Sequence, residues 1–219
     1  INFYDLNGRM RWRINDNNYL YLTLYNGRDR FKVSEMGVKF GNSVAALNWN
    51  HSFSDRFFMK IHATYTNYDY DFSGKTNEME MEWVSRIRDV GMRTDFSYVL
   101  DRNNIFEFGY TSNFQWFQPG KAIGTGTMGT GVRIQQDITM SRRQGFVNVL
   151  YFSNEHKFFD ERIEFRYGLR FTRFDNVGPT TLYRVDDNYQ LIDPDGTAIP
   201  SGKFFHHEYG WEPRLGISF

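Results

Sequence analysis

An all-β chain forming part of an antiparallel transmembrane β-barrel is the fold class this sequence predicts, and three observations predict it. Apolar and polar residues alternate over long runs, as strands with two unlike faces require. Phe, Tyr and Trp make up 19% of the 219 residues, with 22 Phe and 14 Tyr. That excess suits a lipid-facing surface and the aromatic girdles at its two interfaces. The runs are joined by short turns on one side and longer connections on the other, which is the layout of an outer-membrane barrel.

Composition agrees. A mean hydropathy of −0.61 is compatible with a barrel, because only alternate residues of each strand face lipid. No stretch approaches the roughly 18 consecutive apolar residues of a membrane helix. Basic and acidic residues number 26 each, for a formal net charge of zero, so the basic footprint of a nucleic-acid partner is missing. The chain has no cysteine, which removes disulfide, thiolate and zinc–cysteine chemistry.

Alternation and Asp/Asn/Gly punctuation predict about nine strands. The first runs from Phe3 to Ile14, with Tyr4, Leu6, Met10, Trp12 and Ile14 on one face and Asn7, Arg9, Arg11 and Arg13 on the other. Asp16, Asn17 and Asn18 make a tight turn, since these residues tolerate left-handed backbone and bond their own chain. The second strand spans Tyr19 to Asp29 and the third Val44 to Phe53. Ser54, Asp55 and Arg56 turn the chain into a fourth, Phe57 to Phe72, where Met59, Ile61 and Ala63 oppose Lys60, His62 and Thr64. The fifth, Trp83 to Leu100, sets Val90, Met92 and Phe96 against Arg93 and Asp95. A turn at Asp101 to Asn104 leads to the sixth, with Phe106, Phe108, Tyr110, Phe114 and Trp116 on one face.

The seventh strand, Gln144 to Phe152, is expected to turn at Ser153 to His156. In the eighth, Ile163, Phe165, Tyr167, Leu169 and Phe171 oppose Glu164, Arg166, Gly168, Arg170 and Thr172. The last spans His207 to Phe219. Pro119 to Met140 and Asn176 to His206 are expected to be long extracellular loops, and the short turns to be periplasmic. Several strands exceed the roughly 9–11 residues that span a bilayer, so they should project beyond it. Single-chain bacterial barrels have even strand numbers and no open edge in lipid, so nine strands imply a fragment or one further strand. The sequence opens inside a strand with no signal peptide, so Ile1 is not expected to be the start of the gene product.

Several segments, taken in order, resemble the barrel of TonB-dependent receptors of the Bacteroidetes type, related to SusC. They are FYDLNGRMRWRINDNNYLYLTLYNGRD (Phe3 to Asp29), NWNHSFSDRFFMKIHATYTNYDYDF (Asn48 to Phe72), IRDVGMRTDFSYV (Ile87 to Val99), FEFGYTSNFQWFQPG (Phe106 to Gly120), YGLRF (Tyr167 to Phe171) and EPRLGISF (Glu212 to Phe219). The resemblance implies a barrel of about 22 strands with a plugged lumen, of which residues 1–219 are a single partial segment. It further implies location in the bacterial outer membrane, contact with outer-membrane lipid, and energised import of a glycan, peptide or metal chelate. Its expected partners are TonB, acting through a plug domain with no counterpart here, and a surface lipoprotein of the SusD type. A terminal aromatic such as Phe219 also closes many outer-membrane barrels, but the EPRLGISF-like strand of the family is internal, and an internal position is expected here.

Candidate chemistry is sparse. Gly124 to Gly129 matches GxGxxG, but no helix-period stretch follows, so a mobile loop is expected rather than a dinucleotide site. Asp186, Asp187, Asp193 and Asp195 lack the EF-hand spacing, and Asp193-Pro194-Asp195-Gly196 is a turn signature. His206 and His207 are adjacent, so on a strand they point to opposite faces and cannot share a metal. His62 is expected among polar lumen residues. The row of Arg9, Arg11, Arg93, Asp95, Arg166 and Arg170, with Glu164, is the candidate substrate-binding surface of the lumen, suited to an anion. The competing reading is that these charges pair with each other or with a plug. No nucleophile, base and orienting group are arranged for hydrolysis, and no enzyme, cofactor or metal site is expected. A passive porin or scaffold barrel shares the strand pattern. A soluble β-rich binding module would instead bury a compact core.

Overall fold

A computed structural model describes residues 1–76, 79–127, 133–159 and 162–219. The strands are β1 (Asn2–Asn15), β2 (Asn18–Val33), β3 (Met36–Ser54), β4 (Phe57–Lys75), β5 (Met79–Asp101), β6 (Asn104–Thr127), β7 (Arg133–Thr139), β8 (Arg143–Phe158), β9 (Ile163–Val177), β10 (Thr180–Leu182), β11 (Thr197–Ile199) and β12 (Phe204–Ser218). One antiparallel sheet runs β1-β2-β3-β4-β5-β6-β8-β9-β12, with β7 paired to β6, while β10 and β11 form a separate two-stranded sheet. The path of nine matches the strands expected from alternation.

Three of the tight turns share one construction. Asn15 accepts a hydrogen bond from the Asn17 amide at 3.0 Å, Ser54 from Arg56 at 3.3 Å, and Asp101 from Asn103 at 2.7 Å. The register shifts just before each turn, as bulges do at sheet rims. The carbonyls of Asn17, Arg56 and Asn103 then accept the amides of Ser52, Val99 and Lys157 on the following strands, at 2.9, 2.8 and 2.8 Å. Short polar side chains thus reverse the chain, and the next strand seals the turn. Asp101, at the exposed end of its hairpin, is held below the usual carboxylate range, chiefly by the Asn103 amide and next by the Asn104 side chain.

Three expectations are corrected. Ser153 to His156 is no turn: it lies inside β8, where Asn154 is buried and donates to the Ile105 carbonyl at 3.2 Å. This tertiary bond overrides the local turn preference. The connection after β2 is a two-residue turn at Ser34 and Glu35, with Ser34 at φ 49°, because β2 and β3 stay paired as far as Val33 and Met36. Most of the Pro119 to Met140 connection is likewise a hairpin, in which Lys121 to Thr127 pairs with Arg133 to Thr139. Gly124 to Thr127 of the GxGxxG match is therefore strand, and Met128 and Gly129 lie outside the described residues. The segment after β9 is the true long loop. Within it Asp186 accepts the Asn188 and Gln190 amides at 2.9 and 2.8 Å, and Asp193 accepts that of Gly196 at 3.2 Å, as turn residues do.

The main sheet is one layer with two unlike faces. Register aligns Trp12, Leu20, Trp49, Ile61, Thr94, Tyr110, Leu150, Phe171 and Trp211 in one cross-strand row. The adjacent row on the opposite face is Arg13, Tyr19, Asn50, Lys60, Asp95, Gly109, Tyr151, Arg170 and Glu212. The apolar face is uncovered: Trp12 is 62% exposed and Leu215 73%, and the buried apolar side chains among the described residues are Val149 and Val177. A soluble sheet buries one face against a second layer, whereas this one presents contiguous apolar rows far beyond ordinary surface patches.

The apolar band also slides along the strands. On β1 it extends from Leu6 to Ile14, with Trp12 close to the turn end; on β12 it extends from Trp211 to Ile217, with Trp211 at the opposite limit. Strands tilted to a level band give this displacement. Near the turn end of β3 to β6 the band is edged by rings in sequence: Trp49, His51, Phe53, Phe57, Phe96 and Phe108, with centroids 4.3–5.9 Å apart. Such a girdle belongs at a membrane interface.

Candidate functional site on the polar face

Arg93 and Asp95 lie two apart on β5, so they share a face. Arg93 Nε donates to both carboxylate oxygens of Asp95, at 2.8 and 2.9 Å. The Tyr151 hydroxyl donates to the same carboxylate from β8, across the intervening strand β6. It reaches because Gly109 occupies the crossing point: register places Gly109 between Asp95 and Tyr151, and a Cβ there would meet the Tyr151 ring at 2.6 Å. The Arg93 guanidinium stands 5.8 Å from the centre of that ring, a cation–π distance.

The same row continues to β9 and β12. Arg170 Nε is 3.6 Å from Glu212, which also accepts the Thr172 hydroxyl at 2.8 Å and lies 3.5 Å from Arg214. Arg170 Nε is buried without a hydrogen bond. Arg166 pairs with Glu155 at 3.0 Å and with Glu164 at 2.7 Å. Arg93, Tyr151, Glu155, Arg166, Arg170 and Arg214 are among the residues that line a depression of about 820 Å³.

Of the expected site residues, Arg93, Arg166 and Arg170 therefore border one depression, with Asp95 beneath its Tyr151 wall. Arg9 and Arg11 sit far from it, on the edge strand β1. Arg11 stacks over Tyr19 and Tyr21, 5.3 and 5.6 Å from their centres, and Arg9 pairs in register with Thr23. His62 bonds the Asn48 side chain on the same face. Tyr151, Glu155, Glu212 and Arg214 escaped the sequence reading, because register between distant strands decides which of them meet. Among the described residues no cluster of three or more His, Asp or Glu is placed to hold a metal ion.

No family model matches the sequence, and no curated protein matches it. Solved structures do match over nearly the whole chain. The ferric preacinetobactin receptor BauA from Acinetobacter baumannii aligns over 98% of this chain and 36% of its own, at 9% identity and a TM-score of 0.64. The copper transporter OprC aligns over 98% and 34%, at 14% identity and a TM-score of 0.67. The outer membrane transporter YddB from Escherichia coli aligns over 97% and 30%, at 12% identity and a TM-score of 0.55. The chain thus spans about a third of the length of these structures. At such identities the likeness is one of fold, and the fold is that of a partial antiparallel outer-membrane β-barrel.

Proposed function

We propose that the chain is a stretch of the barrel wall of a TonB-dependent receptor in the bacterial outer membrane, SusC-related, importing a nutrient such as a glycan, peptide or metal chelate. The observation that carries this reading is the pair of unlike faces: a sliding, uncovered apolar band on one side and a charged row on the other. Lipid covers the first, and the second lines the lumen. The neighbours named above are receptors and transporters, among them one for ferric preacinetobactin and one for copper, and this supports transport as the role of the whole protein.

In this reading Arg93, Asp95, Arg166 and Arg170 stiffen the lumen wall through their own ion pairs, which attenuates their pull on a cargo. Arg9 and Arg11 have no carboxylate partner among the described residues and, like Lys60, are wall groups open to an anion or to an acidic plug surface. TonB acts through a plug domain elsewhere in the protein, and a SusD-like lipoprotein covers the outer mouth.

The test is uptake by cells carrying the full-length protein, with and without TonB and with the proton gradient collapsed. Accumulation of a cargo that stops in both treatments fits the proposal. Accumulation that continues in both would make the barrel a passive porin.

A further inference from the structure

Toward its long-hairpin end the apolar face gives way to a polar border, and that border is cationic. On β5, Met92 and Val90 are followed on this face by Arg88 and Arg86; on β9, Leu169 and Phe171 are followed by Arg173; on β2, Leu22 and Leu24 are followed by Asn26 and Arg28. Two carboxylates of the border already have partners. Arg28 donates to Asp69 at 3.0 Å, and Arg173 donates to Asp175 through Nη2 at 2.8 Å and through Nε at 2.9 Å. Arg86 and Arg88 are exposed and have no ion-pair partner among the described residues, although Arg88 Nε donates to the neutral Asn67 amide oxygen at 3.1 Å. The border therefore carries an excess of guanidinium groups.

Beside Arg173 the same face opens into a cleft of about 330 Å³ walled by Tyr110, Phe146, Leu150, Phe171 and Phe204. Asp175, 3% exposed, anchors the Arg173 guanidinium at the edge of this cleft. A fixed, half-exposed cation at the mouth of an aromatic slot has the shape of an amphiphile site.

We infer that this border binds phosphate-bearing membrane lipid, with the phosphate on Arg173 and an acyl chain in the aromatic cleft, and with Arg88 as a second phosphate station. The inference rests on the reading of this face as lipid-facing. Guanidinium groups hold phosphate through paired, charge-assisted hydrogen bonds, and the edge of an apolar band is where lipid head groups lie. A fixed guanidinium next to hydrocarbon otherwise lacks acceptors beyond Asp175, and a lipid phosphate supplies them.

The probe is phosphatidylglycerol, compared with the matching diacylglycerol and with soluble glycerol phosphate, on the delipidated full-length protein observed by native mass spectrometry. The expected result is retention of phosphatidylglycerol about tenfold above diacylglycerol, the size of a charge-assisted contact, with no competition by glycerol phosphate. Arg173→Gln combined with Asp175→Asn removes the ion pair without stranding a buried carboxylate, and Arg88→Gln alters an exposed group; each should lower retention severalfold. Equal retention of the two lipids, or retention indifferent to both variants, overturns the inference. Insertion of the wild-type protein into phosphatidylcholine vesicles, read from heat-modifiable migration, separates the two levels. Failure to insert contradicts the lipid-facing reading itself, whereas insertion without phosphate preference overturns the lipid site alone.

Discussion

Tyr151 meets Asp95 over Gly109 because a missing side chain on β6 leaves room for a phenol from β8. Removing the hydroxyl with Tyr151→Phe should lower stability by about 1 kcal/mol, the net value of one partly screened hydrogen bond. Gly109→Val should cost more, roughly 1–3 kcal/mol, since the new side chain would collide with the ring and press on the Thr94 carbonyl, 2.5 Å from its Cβ. Urea unfolding of the full-length protein in lipid vesicles measures both, and a Gly109→Val variant as stable as wild type would contradict the crossing. Asp101 gives a pH test. Its folded-state pKa lies below its unfolded one, so its contribution is complete above the unfolded carboxylate range and disappears as pH falls through the folded value. Amide exchange at Asn103 should accordingly quicken at acid pH beyond its intrinsic dependence, and Asp101→Asn should weaken that response. At this scale the sequence makes the Arg93–Asp95 pair legible, because residues two apart on a strand share a face. The third member is not legible, since nothing local links Tyr151 to residues so distant in the chain.

Each hairpin has a membrane part and a projecting part, and different physics governs them. Where one face meets lipid, alternation is strong, and the interiors of β1, β4, β6 and β9 follow it. Farther out both faces of a strand are wet and the phase of the pattern is lost, as on β2, where Phe31 and Val33 fall on the face opposite to Leu20, Leu22 and Leu24, while backbone pairing continues undiminished. Strand identity is therefore legible and strand length is not. The same logic explains Ser153 to His156, whose turn-like composition is overridden by partners on both sides in β6 and β9. These 219 residues contain no cysteine, so paired cysteines placed in the projecting hairpins meet no other thiol of this stretch. Phe31→Cys with Val38→Cys, which are register partners, should cross-link on mild oxidation. Phe31→Cys with Phe40→Cys, out of register, should do so much more slowly. Similar rates for the two pairs would mean that this segment is an irregular loop.

The whole molecule is a sheet whose stability depends on what covers its apolar face. Val149 and Val177 are the buried apolar side chains among the described residues, too few for a hydrophobic core of its own, so the cover comes from outside the chain. Tilted strands with a level apolar band, an aromatic girdle at the turn end and a cationic border at the other all follow if that cover is a bilayer. The decisive measurement is single-cysteine labelling along β9 in the full-length protein in native membranes, from Phe165 to Thr172. Labelling by a lipid-soluble probe at Phe165, Tyr167, Leu169 and Phe171, alternating with a water-soluble maleimide at Arg166, Gly168, Arg170 and Thr172, is the result expected of a barrel wall. Water-soluble labelling at both sets alike would contradict it.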